Sequence, residues 1–209
     1  MPRYFISKKK NISATKLAKK ALKVAKRAEV ESGFETAPFN LHLSQNPTFT
    51  YVQPPEAEGV KQTSKYIEGR FTIRPDQHAS LTYAVGWRVD LILDRQPAMM
   101  PLDVNHMYGN IPNPEVSVLM PFYNKDRYKV VKSWSGILSG HAGTQGTSRY
   151  FKVRTGLKLE AVDPLFDFQH ATKNAYYLVY WCDQTLTGSQ GVDANPIFQG
   201  QLQHVTITG

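Results

Sequence analysis

The side chains with the clearest chemistry are cations gathered near the N-terminus. Arg3, Lys8, Lys9, Lys10, Lys16, Lys19, Lys20, Lys23, Lys26 and Arg27 stand in the first 35 residues against Glu29, Glu31 and Glu35. This segment therefore holds a net +7 of the chain's formal +8, and residues 36–209 balance 15 Lys/Arg against 14 Asp/Glu. Cations massed beside a nearly neutral remainder point to a polyanion. Neutralising phosphates releases counterions, so such binding depends on salt and is blind to sequence. Tyr4 and Phe5 add rings that stack on bases.

Other chemistry is sparse. Histidines fall at 42, 78, 106, 141, 170 and 204, with no His-x-His pair, and the one cysteine is Cys182. A cysteine zinc site and an intrachain disulfide are excluded. The chain has no nucleophile elbow, phosphate loop or dinucleotide fingerprint. Asp103 and His106 share a helical turn, the usual place for a local cap. Cys182 ends an apolar aromatic run and reads as a buried structural thiol. No catalytic residue, no metal site and no cofactor is expected. Structural Ca²⁺ on loop carboxylates such as Asp163, Asp167, Asp183 and Asp193 is the one cofactor to test for, although no EF-hand spacing supports it.

Two kinds of element must position these groups. From Ser13 to Glu31 there is no Gly or Pro, and Ala14, Leu17, Ala21, Val24 and Ala28 form a narrow apolar stripe. Lys16, Lys20, Lys23 and Arg27 run beside it, which predicts a cationic amphipathic helix ending near Gly33. Residues 36–209 change texture to short β-branched and aromatic runs between Gly, Pro, Asn and Asp. They predict strands near Phe39–Leu43, Thr48–Val52, Lys65–Ile73, Leu81–Leu93, Tyr128–Leu138, Tyr150–Leu159, Tyr176–Cys182 and Gln201–Ile207. Eight strands with uneven loops predict an all-β fold, a single eight-stranded jelly roll of two antiparallel sheets, behind a basic, partly helical arm. The division is 1–35 for the arm and 36–209 for the jelly-roll domain. No apolar run has the length of a membrane span, and no secretory signal is read.

Three stretches carry a resemblance. RVDLILDRQPAMMPLDVNHMYG (88–109) reads as a strand, an Asp-Arg-Gln turn, and a polar loop with a short helix. YNKDRYKVVKSWSGIL (123–138) opens the next strand, and NAYYLVYWCDQ (174–184) reads as a late core strand. In order and spacing these resemble the capsid proteins of small circular single-stranded DNA viruses, which are similar to the shells of satellite plant viruses of the tobacco-necrosis type. The resemblance covers about residues 60–209, with the arm matched by composition. It implies a self-assembling T=1-like icosahedral shell of about 60 copies, with the arm turned onto a single-stranded genome. The partners so implied are the chain itself and that genome (DNA favoured over RNA); the basic cluster Lys8–Lys10 adds the nuclear import machinery as a further partner. The implied locations are the virion and, during assembly, the host nucleus. No membrane partner is implied. One departure stands out: the arm is rich in Lys where the DNA-virus relatives favour Arg.

On this reading the arm cations bind nucleic acid. Met99, Met100, Tyr108, Phe122 and Tyr123, in the Pro-rich 94–127 connection, are candidates for contacts between subunits or, equally, covers for the end of the sandwich. Lys125, Arg127, Lys129 and Lys132 read as solvated strand charges or as an inner lining. The alternatives are a non-viral nucleic-acid-binding β-barrel with a basic tail and a sugar-binding or enzymatic β-sandwich.

Overall fold

The computed structural model describes residues 18–19, 32–55, 61–77, 83–97, 102, 104–108, 125–140, 146–161, 171–183 and 194–208. The elements are β1 (Ser32–His42), β2 (Thr48–Tyr51), β3 (Lys61–Arg74), β4 (Tyr83–Asp94), α1 (Val104–Tyr108), β5 (Tyr128–Gly140), β6 (Thr147–Arg154), β7 (Lys158–Ala161), β8 (Ala171–Lys173), β9 (Ala175–Cys182) and β10 (Ile197–Thr208). All the pairings are antiparallel.

The smaller sheet runs β2-β9-β4-β5. The larger runs β1-β10-β3, and β3 is flanked on its far side by β6 and then by β7, which leads to β8. Without the short β7 and β8, eight strands pair first with last. β1 lies beside β10, β2 beside β9, β3 beside β6, and β4 beside β5. The chain is thus a long hairpin ribbon, tipped at β4–β5, rolled so that successive rungs fall into opposite sheets. That is a jelly roll, as the strand pattern predicts.

Boundaries differ from expectation in instructive ways. β1 begins at Ser32, paired with Ile207, so residues 32–35 lie in the sheet. Gly33 lies in that strand, and the predicted helix, apart from residues 18–19, lies outside the described residues. The chain divides between Glu31 and Ser32. Counted at that point, the first segment has ten cations and two Glu, and the remainder has 15 of each sign. The predicted Tyr150–Leu159 strand is two strands. Gly156, at φ +65°, turns the chain between β6 and β7, and the pair still flanks β3 through Tyr66↔Arg154 and Thr63↔Lys158. Few residues other than glycine adopt that φ cheaply. Pro38 is tolerated because β1 is an edge strand, paired only with β10 among the described residues.

Alternation along β3, β4, β6 and β10 fills the space between the sheets. Phe71 sits at its centre, with Trp87, Trp134 and Phe198 edge-on at 6.4, 5.4 and 5.3 Å between ring centroids. Such T-shaped contacts suit the ring quadrupoles. Cys182 is buried in the same core. A second core lies on the opposite face of the smaller sheet, where Met107 and Tyr108 of α1 meet Ile92, Tyr128, Val179 and Trp181. All eight residues of β9 are therefore buried.

Candidate nucleic-acid interface

Of the ten arm cations, Lys19 lies among the described residues; it is helical and exposed beside Ala18. Arg3, Lys8, Lys9, Lys10, Lys16, Lys20, Lys23, Lys26 and Arg27 lie outside them, as do Met99, Met100, Phe122 and Tyr123.

Tyr108 is described and lies within the fold of the subunit. It is 4% exposed, packs on Trp181 at 5.1 Å, and donates its hydroxyl to Asp90 Oδ2 at 2.6 Å. Burial first, and the Asp90 charge second, push that hydroxyl's pKa far up, so it stays a donor. Asp90 is fully buried and also accepts from Arg88 Nε at 3.0 Å and from Ser133 Oγ. The Arg88 guanidinium lies over the rings of Trp181 and Tyr108, 5.2 and 5.7 Å from their centroids. Arg127 is likewise no solvated strand charge: it is buried and bridged to buried Asp94. Thus α1 and the base of the 95–127 connection close over the outward residues of β4, namely Arg88, Asp90, Ile92 and Asp94.

Lys125, Lys129 and Lys132 are exposed. A bulge at the Leu91/Ile92 step registers Lys129 with Leu93 and Lys132 with Leu91, which brings both onto one side of β5. Arg95, Lys125 and Lys129 border a hollow of about 380 Å³ beside Tyr128.

The outward face of the larger sheet is quite different. Gln199, Gln201 and Gln203 project from β10, Glu68, Arg70, Thr72 and Arg74 from β3, and Ser148, Tyr150, Lys152 and Arg154 from β6. Cross-strand register aligns Gln201, Arg70 and Tyr150 in one row, and Gln203, Glu68 and Lys152 in the next. Lys152 bridges Glu68 at 2.8 Å and lies 3.8 Å from the Tyr66 ring centroid. The hydrogen bond from Lys152, chiefly, holds the Glu68 carboxyl below the usual carboxylate range. Tyr150 is 68% exposed and donates its hydroxyl to Glu68 at 3.2 Å. Arg74 donates to Gln199 Oε1 at 3.3 Å. A shallow groove of about 460 Å³ runs between Asn40, Arg70, Thr72, Gln199 and Gln201.

The sequence reading passed over Arg70, Arg74, Phe49 and Ile137. Phe49 is 42% and Ile137 73% exposed, on the smaller sheet. Period-2 alternation against Phe71 and Ile73 was the signal available for Arg70, Thr72 and Arg74. Among the loop carboxylates, Asp183 is committed to the fold: its Oδ1 accepts from the Gly86 amide at 2.9 Å. Asp103, Asp163, Asp167 and Asp193 lie outside the described residues. Among the described residues no group of three His, Cys, Asp or Glu could hold a metal ion.

No protein-family model matches the chain, and no curated protein does. Solved structures of three viral proteins resemble it remotely. A structure of infectious bursal disease virus, Gx strain, is 12% identical at TM-score 0.30 over 85% of this chain, which spans about a third (32%) of that chain's length. The 60-mer capsid protein of beak and feather disease virus is 7% identical at TM-score 0.34, covering 86% of this chain and 93% of its own. Merkel cell polyomavirus VP1, solved with GD1a oligosaccharide, is 9% identical at TM-score 0.35, covering 87% and 98%. These likenesses are remote, and the jelly-roll assignment stands on the chain's own strand pairing.

Proposed function

We propose that this chain is the shell subunit of a small virus. Copies of the jelly-roll body tile into a closed T=1-like icosahedral particle, and the basic arm binds the packaged single-stranded genome, DNA in preference to RNA. The observation that carries this reading is the partition of charge: ten cations against two carboxylates before Ser32, and 15 of each sign after it. A body without net charge packs against itself with little repulsion. Arms that bind weakly one at a time act together once many are held in one shell.

Closure requires heterologous contacts around rotation axes. Phe49 and Ile137 are the described large apolar side chains left most open on the smaller sheet. They join Met99, Met100, Phe122 and Tyr123 as candidates for these contacts. Lys8–Lys10 suit an import receptor, which would place assembly in the host nucleus before the virion is released. Ca²⁺ at a symmetry axis remains a proposal for the loop carboxylates beyond Asp183.

Expression of the full chain, electron microscopy of the product and an absorbance spectrum of its contents test the reading. Uniform closed particles containing nucleic acid are expected. A strictly monomeric product at low and high salt, with or without nucleic acid, would overturn it. So would a small soluble oligomer that selects one base sequence, which is the behaviour of a binding module.

A further inference from the structure

The two outward faces of the sandwich are not equivalent. The smaller sheet's face is covered over its middle by α1, with Tyr108 and Met107 on Trp181 and Val179. The larger sheet's face stays open and polar. On β3 and β6 its described outward charges are Arg70, Arg74, Lys152 and Arg154 against Glu68, and Glu68 is already bridged to Lys152. Among the described residues, Arg70, Arg74 and Arg154 have no carboxylate partner.

We propose that this open face is a second contact surface for single-stranded nucleic acid, with Arg70, Arg74 and Arg154 on phosphates and Tyr150 under a base. The inference rests on the packaging role proposed above and extends it from the arm to the body. Arg70 and Arg74 are four residues apart on β3, about 13 Å at strand rise. Tyr150 stands beside Arg70 on the neighbouring strand, and Arg154 lies four residues further along β6. A ring flanked by cations is the usual platform for a single strand, since every base offers a face to stack. The Tyr150 hydroxyl is steadied by Glu68, which keeps the exposed ring from turning freely. The row of Gln199, Gln201 and Gln203 supplies amide donors and acceptors to sugar and base without adding charge.

The test uses the full-length chain and a fluorescent oligothymidylate, with anisotropy read over a salt series. A triple variant, R70S/R74S/R154S, should flatten the slope of log affinity against log salt by about two, at roughly 0.7 per single-strand phosphate. Y150A should weaken binding about tenfold with an unchanged slope, and as one exposed substitution it keeps the test valid if the triple variant misfolds. K129S/K132S, on the other sheet, should bind like the unmodified chain. If the triple variant and Y150A bind unchanged while K8S/K9S/K10S weakens, this inference fails and the arm's role stands. If none of them weakens, both fail. A triple variant that loses heparin but keeps the oligonucleotide would also overturn the proposal, because the face would then recognise sulfated glycans.

Discussion

Arg127 grips Asp94 with two prongs: Nε donates to Oδ1 at 2.9 Å and Nη2 to Oδ2 at 2.7 Å. Asp94 ends β4 and Arg127 immediately precedes β5, so the pair pins both ends of the long connection between them. The backbone repeats the closure next door, where the Arg95 amide donates to the Arg127 carbonyl at 3.1 Å. The Asp94 hydrogen bonds raise the guanidinium pKa further, and Arg127 also lies over the Tyr128 ring, 4.8 Å from its centroid.

Removing one partner leaves the other as an uncompensated buried charge. Arg127→Met is expected to cost about 3–5 kcal/mol. For a body of this size that lowers Tm by roughly 10 °C, measurable by calorimetry on the full chain. Arg127→Lys should recover only part, because an ammonium cannot fill the two-pronged site. A Lys variant as stable as the unmodified chain would show that the fork geometry contributes nothing.

His204 predicts a pH dependence. Its Nε2 lies 2.7 Å from Ser64 Oγ, Ser64 meets Thr155 at 2.6 Å, and the Tyr176 ring stands edge-on at 5.7 Å. Burial pushes the imidazole pKa down to about 4. The folded state therefore resists a proton that the unfolded chain accepts near 6.5. Stability from this group is intact above about 6.5 and falls as pH drops toward 4, by about 3 kcal/mol in all. Urea titrations at stepped pH should show His204→Gln losing much less stability over that interval. Parallel slopes for both proteins would remove His204 as the cause.

Gly200 faces a space already taken. A Cβ there would lie 2.4 Å from the Arg70 carbonyl oxygen and 2.8 Å from the Phe39 ring. Backbone cannot yield as a flexible side-chain tip does, so Gly200→Ala should destabilise by about 1–3 kcal/mol. Chemical denaturation would register this as a lower midpoint at unchanged m-value; an unchanged midpoint would mean that the strands separate freely.

Ile137→Asp separates assembly from folding. The side chain is 73% exposed, so the isolated subunit should keep its stability within about 0.5 kcal/mol. On the proposed function, closed particles should be replaced by free subunits in sedimentation profiles. Particles forming in normal yield would move the contact elsewhere.

Much of the sandwich was legible because β3, β4 and β6 alternate cleanly. What escaped has physical causes. The start of β1, SGFETAP, contains Gly, Pro and Glu and looks like a linker; it becomes strand through pairing with β10, a tertiary effect that overrides local preference. The β6–β7 break depends on one positive φ at Gly156, which composition does not reveal. Arg127 reads as a solvated charge, and Tyr108 as either contact or cover, because nothing local announces Asp94 and Asp90 as buried acceptors. The open cationic face is not legible locally because Arg154 is distant in sequence from Arg70 and Arg74 and joins their face only through the register of β3 and β6.

β9 has no polar side to lose. A one-residue slip would set Tyr177, Val179 and Trp181 where Tyr176, Leu178 and Tyr180 now sit, exchanging one greasy lining for another without wetting either. Polarity, which fixes most strands, is silent at this position. Alignment must come from fit: Thr50 against the Tyr180 hydroxyl at 3.1 Å, and Cys182 in register with the bulky Trp87. The most hydrophobic rung of the ribbon is thus the one that needs both neighbours in place before it can find its station.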